Sequence, residues 1–155
     1  MKRQSVYALS EYEGALLLKE WGIPVVEQAL SCNEDQAVEA AGRLGFPVAL
    51  KVCSEAVLHK TDQGGVKLNI ADAQSLIEAA RDIRSRFRGI EPKLLVQKMA
   101  QPGVEIILGA KRDPVFGPVV LVGIGGVLVE VLDEVTFRVP PFDREEARRM
   151  VAELR

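Results

Sequence analysis

Between Asp113 and Glu130 lie 16 residues without a charge, and they cannot form a helix. Pro114 to Val129 holds two prolines and four glycines. Proline removes a backbone donor and fixes φ, and glycine is costly inside a helix. A bilayer-crossing helix needs about 20 mostly apolar residues, so the stretch is too short and too broken to span a membrane. It reads as buried strands and turns, with Val119 to Val122 and Val127 to Leu132 flanking Gly123-Ile124-Gly125-Gly126. This part of the chain is therefore committed to sheet.

The remaining elements follow from caps and periodicity. Ser10-Glu11-Tyr12-Glu13 fits a capping box and opens a helix to about Glu20, with Gly22 as its stop. Ile23-Pro24-Val25-Val26 reads as a short strand or extended entry. Asn33 to Gln36 caps a second helix whose Ala37, Ala40, Ala41 and Leu44 share a face, and Gly45 ends it. Phe46 to Val52 is a strand in which Val48, Leu50 and Val52 alternate with Ala49 and Lys51. Val66 to Ile70 alternates as a strand with one wet face. Asp72 caps a third helix with an apolar stripe of Leu76, Ala80, Ile83 and Phe87.

Leu94 to Met99 and Val104 to Ala110 are strands, and Arg112-Asp113-Pro114 is turn chemistry. Thr136-Phe137-Arg138 is a short strand. Asp143 to Glu146 is a further capping box, opening a helix to Arg155 with a Glu145–Arg149 pair at i,i+4. The order is α-β-α-β-β-α-β, a strand-rich run, then α. Helices dominate before Glu91-Pro92 and paired strands after it, which suggests two lobes, about 9–92 and 93–155.

Composition excludes several functions. A chain of 155 residues, 48% apolar, has the length and apolar content of one folded domain. With 20 Lys+Arg against 22 Asp+Glu the net charge is −2, which argues against a nucleic-acid or anionic-membrane surface. Cys32 and Cys53 form no CxxC pair, and the single histidine, His59, cannot complete a zinc site with them. No apolar core of signal-peptide length follows the N-terminus, and a reducing, cytoplasmic setting is expected. GxxxxGK(S/T), GxGxxG and GxSxG are all absent.

What remains is a dispersed set. Lys51 sits in an apolar strand, where a cation must be paired or must snorkel to water. Gly64 and Gly65 follow the polar run His59-Lys60-Thr61-Asp62-Gln63. Such a pair lets backbone N–H groups approach a phosphate, and equally serves a hairpin turn. His59, beside Lys60 and Asp62, is either a phosphoryl acceptor or an ordinary surface residue. Glu105 lies among apolar neighbours as one alternate of a strand. Gly125-Gly126 marks a bulge or a close backbone approach. Cys53 is taken as packing.

Together these residues resemble the ATP-grasp fold. More narrowly, the chain resembles the ATP-grasp domain of nucleoside-diphosphate-forming acyl-CoA synthetases, the acetate–CoA ligase family related to succinyl-CoA synthetase beta chains. The stretches FPVALKVCSEAVLHKTDQGGVKLNI and LLVQKMAQPGVEIILGAKRDPVFGPVVLVGIGGVLVEVL carry the likeness, within a span from about Leu9 to Met150. The resemblance implies an α/β fold: a two-lobe ATP-grasp architecture of α+β type, with an incomplete second lobe. It implies that Lys51 holds the α/β-phosphates and that Gly64 and Gly65 belong to a loop over them. Gln97, Lys98 and Met99 form a hinge strand whose backbone edge pairs with adenine. Glu105 stands beside the nucleotide, and His59 relays phosphoryl groups to a CoA-binding domain or subunit.

The implied reaction is acyl-CoA + ADP + phosphate ⇌ carboxylic acid + ATP + CoA, with Mg²⁺. Such transfer needs positioning and charge neutralisation more than protein acid–base chemistry. Complete family members continue past the helix begun at Asp143 into strands that carry acidic and Asn ligands for magnesium. No such segment occurs here, so the metal ligands are expected outside this chain segment. The expectation is a fragment, or a chain whose missing parts lie elsewhere. Two rival readings are an ATP-grasp carboxylate–amine ligase, in which His59 is incidental, and a non-catalytic nucleotide-binding regulatory module. A plainer third is an α/β domain whose Gly-Gly turns are purely structural.

Overall fold

Local capping sets the helices. In a computed structural model that describes residues 9–54, 63–90, 92–126 and 135–154, Ser10 caps α1 (Glu11–Glu20) with the full reciprocal capping box to Glu13. Asn33 caps α2 (Glu34–Leu44) and Asp72 caps α3 (Ala73–Arg86), each through its side-chain oxygen. Asp143 caps α4 (Arg144–Ala152), but the expected reciprocal half is missing there. The Glu146 carboxylate instead takes Arg138 Nε at 2.6 Å. The helix also ends at Ala152, short of Arg155.

The strands among the described residues are β1 (Gln28–Ser31), β2 (Val48–Cys53), β3 (Val66–Ile70), β4 (Lys93–Lys98), β5 (Ile106–Asp113), β6 (Gly117–Ile124) and β7 (Val135–Arg138). The chain divides into two units, Met1–Ala100 and Gln101–Arg155. The division falls after β4, later than Glu91-Pro92, because β4 is a central strand of the first sheet. That sheet runs β1-β4-β2-β3 with every pair antiparallel. α2 and α3 pack on one face and bury Val48, Leu50, Val52, Leu94 and Val96 against Ala37, Ala41, Leu76, Ala80 and Ile83.

Two local readings are corrected. Of the two options at Ile23 to Val26 the strand is excluded, and the first strand is Gln28–Ser31, where pairing to β4 and a Ser31 Oγ to Leu94 O hydrogen bond hold a polar segment extended. In β3 the alternation is broken. Asn69 adopts φ +56, a conformation asparagine tolerates, and the ladder to β2 shifts by one residue between Val48 and Leu50. Lys67 thereby stands opposite Leu50 and reaches Asp82 on α3 at 2.7 Å, while Leu68 is left 58% exposed.

In the second unit β5, β6 and β7 form an antiparallel meander. Asp113 builds its first turn by accepting from the N–H groups of Val115 and Phe116. α4 covers one face, where Val122 and Met150 are buried and Thr136 Oγ1 donates to Met150 O. As far as Gly126 the uncharged stretch is strand and turn as expected, but much of it is not buried, and the strand expected at Val127 to Leu132 falls outside the described residues. Val115 and Phe116 are exposed in the turn. Residues 127–134 lie outside the description. Among the described residues no helix is long and apolar enough to cross a membrane.

Five carboxylates that hold these elements are depressed below their ordinary range, among them Glu13, lowered by its bond from the Ser10 hydroxyl. Asp82 is lowered chiefly by its bond from Arg86, then by Lys67. Glu146 is lowered by Arg138, Asp72 by the Ser75 N–H and Asp113 by the Phe116 N–H. A folded pKa below the unfolded one contributes stability above the unfolded pKa, and that stability is lost as pH falls through the folded value. The melting temperature is therefore expected to hold from neutrality to about pH 5 and to drop below it, since unfolded Asp and Glu titrate near 4. Asp72→Asn keeps the cap acceptor without the charge and should make the drop shallower. A melting temperature that rises on acidification would contradict this assignment.

Candidate functional site

β2 runs between β3 and β4, and its alternation sends Leu50 and Lys51 to opposite faces. The face away from α2 and α3 is not wet: Ala49, Cys53 and Leu95 are buried there too. A lysine in such a surface needs a counter-charge. Lys51 Nζ finds one at 2.7 Å in Glu11 Oε1, from the first turn of α1, with the lysine side chain 21% exposed. The structure thus pairs Lys51 where the sequence left pairing and snorkelling open. Nothing in the sequence pointed to Glu11, which lies 40 residues away.

The glycine pair enters the same ladder. Val66 is the register partner of Lys51, and Val52 N–H donates to Gly65 O at 2.8 Å. Gly64 turns with φ +70, and a Cβ there would lie 3.2 Å from Arg86 Nη1 on α3. Gly64 and Gly65 are therefore the turn into β3, directly beside the Lys51 rung. His59 lies outside the described residues, as do Lys60, Thr61 and Asp62.

Gln97 shares the Lys51 face, since it stands opposite Ala49 on β2 and Gln28 on β1. Its Nε2 donates to Gln28 Oε1 at 3.1 Å, a partner the sequence did not mark. Lys98 N–H donates to Glu27 O at 2.9 Å, and its ammonium sits 3.3 Å from Glu27 Oε1. Gln97 and Lys98 are thus inside a ladder flanked on both sides, so they stand between strand neighbours and not at the open backbone edge expected to pair with adenine. Met99 is the first of the three beyond it.

Glu105 belongs to the second unit, immediately before β5. It is exposed, and its carbonyl accepts from Gly125 N–H at 2.7 Å. The Gly125-Gly126 pair is the close backbone approach that glycines in a strand setting signal. Within the first unit, then, Lys51, Gly64, Gly65 and Gln97 come together on one sheet. Chemically, a paired lysine on a rigid strand suits phosphate oxygens, because it opposes charge without moving.

The family profile described as the ATP-grasp domain matches residues 1–155. The chain belongs to the ATP-grasp family. The ATP-grasp chain is 41% identical over 152 residues to the beta subunit of acetate–CoA ligase (ADP-forming) I of Pyrococcus furiosus, covering 95% of this chain and 66% of that subunit. It is 46% identical over 148 residues to acetate–CoA ligase (ADP-forming) I of Archaeoglobus fulgidus, covering 92% of this chain but 22% of that protein. Acetyl-coenzyme A synthetase 1 of Ca. Korarchaeum cryptofilum, solved with coenzyme A and Ca-AMPCP, superposes with a TM-score of 0.88 at 42% identity. That match covers 94% of this chain and 66% of the other.

The same archaeal enzyme with coenzyme A and Mg-AMPPCP has its phosphohistidine segment pointing towards the nucleotide-binding site, and matches with a TM-score of 0.78 at 41% identity, over 93% of this chain and 63% of that one. The ATP-grasp chain thus spans just under two thirds of its separate-subunit relatives and about a fifth of the single-chain one.

Proposed function

We propose that this chain is the ATP-binding, phosphoryl-transferring part of an ADP-forming acid–CoA ligase. The observation that carries the reading is Lys51, a cation built into a buried strand of an ATP-grasp chain and held by a carboxylate at 2.7 Å. In this reading a nucleotide's α/β-phosphates take up the ammonium, Gly64 and Gly65 lie alongside the phosphates, Gln97 to Met99 flank the adenine, and Glu105 meets the nucleotide. The partner is a CoA-binding domain or subunit, and the substrates are CoA and a small carboxylic acid. The relatives support this through the activities in their names.

Lysine and backbone amides fit a phosphate chain. The described residues do not supply a metal's donor set: no group of three His, Cys, Asp or Glu among them stands close enough to hold an ion. Mg²⁺ in this proposal accompanies the nucleotide on ligands outside those residues, and no step below depends on it. His59 is the phosphoryl relay. Its imidazole nitrogen attacks the γ-phosphorus of ATP, an N–P bond forms, the P–O bond to the β-phosphate breaks and ADP leaves. One difficult transfer becomes two easier ones.

The test is incubation of the chain and its CoA-binding partner with γ-labelled ATP. Acid-labile, base-stable label is expected on the parent chain and none on His59→Ala. Equal labelling of both would sink the relay.

A further inference from the structure

The glycine pair after β6 lies closer to Glu105 than strand pairing alone requires. Ile106 pairs with Ile124, so Glu105 and Gly125 form the next rung, closed by the Gly125 N–H to Glu105 O bond. A Cβ on Gly125 would lie 3.2 Å from the Glu105 carbonyl carbon and oxygen. A Cβ on Gly126, which has φ +75, would lie 3.3 Å from Glu105 Oε2 and 3.4 Å from its Cδ. The Glu105 side chain is thus laid across both glycines, with its carboxylate seated on Gly126 and open to solvent. At 125 a side chain would press on main chain. At 126 it would press on the free end of a flexible side chain, which moves before the fold does.

We infer that Gly125 and Gly126 are positioning residues that seat the Glu105 carboxylate for its nucleotide contact, an inference that rests on the function proposed above. The glycine floor fixes where the carboxylate stands before ligand arrives. Ordering that long side chain is then no longer charged against binding. Substituting either glycine displaces the acceptor pair without touching the phosphates.

The experiment is calorimetric titration of the chain with ADP and Mg²⁺. Gly125→Ala and Gly126→Asn each add a Cβ, and asparagine accepts the positive φ at 126. Each is expected to weaken ADP by roughly ten- to a hundredfold, the scale of a binding group held about an ångström off, with only a modest fall in melting temperature, the larger in Gly125→Ala, whose Cβ presses on main chain. Glu105→Ala should weaken it similarly, and either glycine change added to Glu105→Ala should cost nothing more. Glu105→Asp, one methylene shorter, should restore part of the affinity in Gly126→Asn. Gly103→Ala, with nothing within 4 Å of its Cβ, is the neutral control. Glycine effects that persist in the Glu105→Ala background, or parent-like affinity in both glycine variants, overturn the inference. If Lys51→Ala also binds ADP like the parent, the nucleotide reading itself falls. If Lys51→Ala alone weakens ADP, only the glycine seat falls.

Discussion

Lys51→Ala is expected to lower turnover of the assembled enzyme by about 10²–10³-fold, the cost of removing one preorganised charge from a transferring phosphoryl group. The geometry makes the effect specific. Lys51 is borne by a strand paired on both sides, so its ammonium is offered without a loop having to close. Its partner, Glu11, sits in the first turn of a helix fixed by a reciprocal capping box, which keeps the counter-charge in place when no nucleotide is bound. The pair is partly exposed, so it is worth no more than about 1 kcal/mol to stability. The substitution should therefore leave the melting temperature near that of the parent. Lys51→Arg is expected to recover only part of the rate, because a planar fork does not reproduce a compact ammonium. Full turnover of Lys51→Ala, measured with the CoA-binding partner present, would remove the central support of the proposed function.

Legibility in the sequence followed locality. Among the described residues each helix start was readable because a cap is made by residues three apart, as Ser10 and Glu13 or Asp72 and Ser75 show. The apolar stripe of α3 was readable for the same reason. β1 was not, because Gln28-Ala29-Leu30-Ser31 has no period of its own and is a strand only through its register with β4. The β3 bulge was invisible as well: Val66-Lys67-Leu68-Asn69-Ile70 alternates cleanly on paper, and a single Asn69 φ reverses which side chain meets Leu50. Lys51 stood out as a charge in an apolar strand, whereas its partner Glu11 came from another element. β4 was recognised as a strand but not as the centre of a sheet, since an apolar run carries no record of its neighbours.

Leu50→Ala, one residue from Lys51, is expected to do the opposite of Lys51→Ala: to cost about 2–5 kcal/mol of stability with little effect on nucleotide affinity. Leu50 has no exposed surface and belongs to the cluster formed with α2 and α3. Truncation removes buried carbon and leaves a cavity that two strand neighbours, Val96 and Lys67, are held too firmly by the ladder to fill. A domain of this size is stable by roughly 5–15 kcal/mol, so the loss is a large fraction of the whole. Leu68→Ala is the matched comparison, because the β3 bulge leaves that leucine 58% exposed and its removal should shift stability by less than about 0.5 kcal/mol. Urea denaturation of both variants tests the register, and ADP titration of folded Leu50→Ala beside Lys51→Ala separates the two faces of β2. The helix face sustains the fold and, on the proposed function, the Lys51 face serves the ligand, a division that comes from the two-residue period of a strand. Equal destabilisation by Leu50→Ala and Leu68→Ala would refute the assigned register. Loss of ADP binding in folded Leu50→Ala would refute the separation of the two faces.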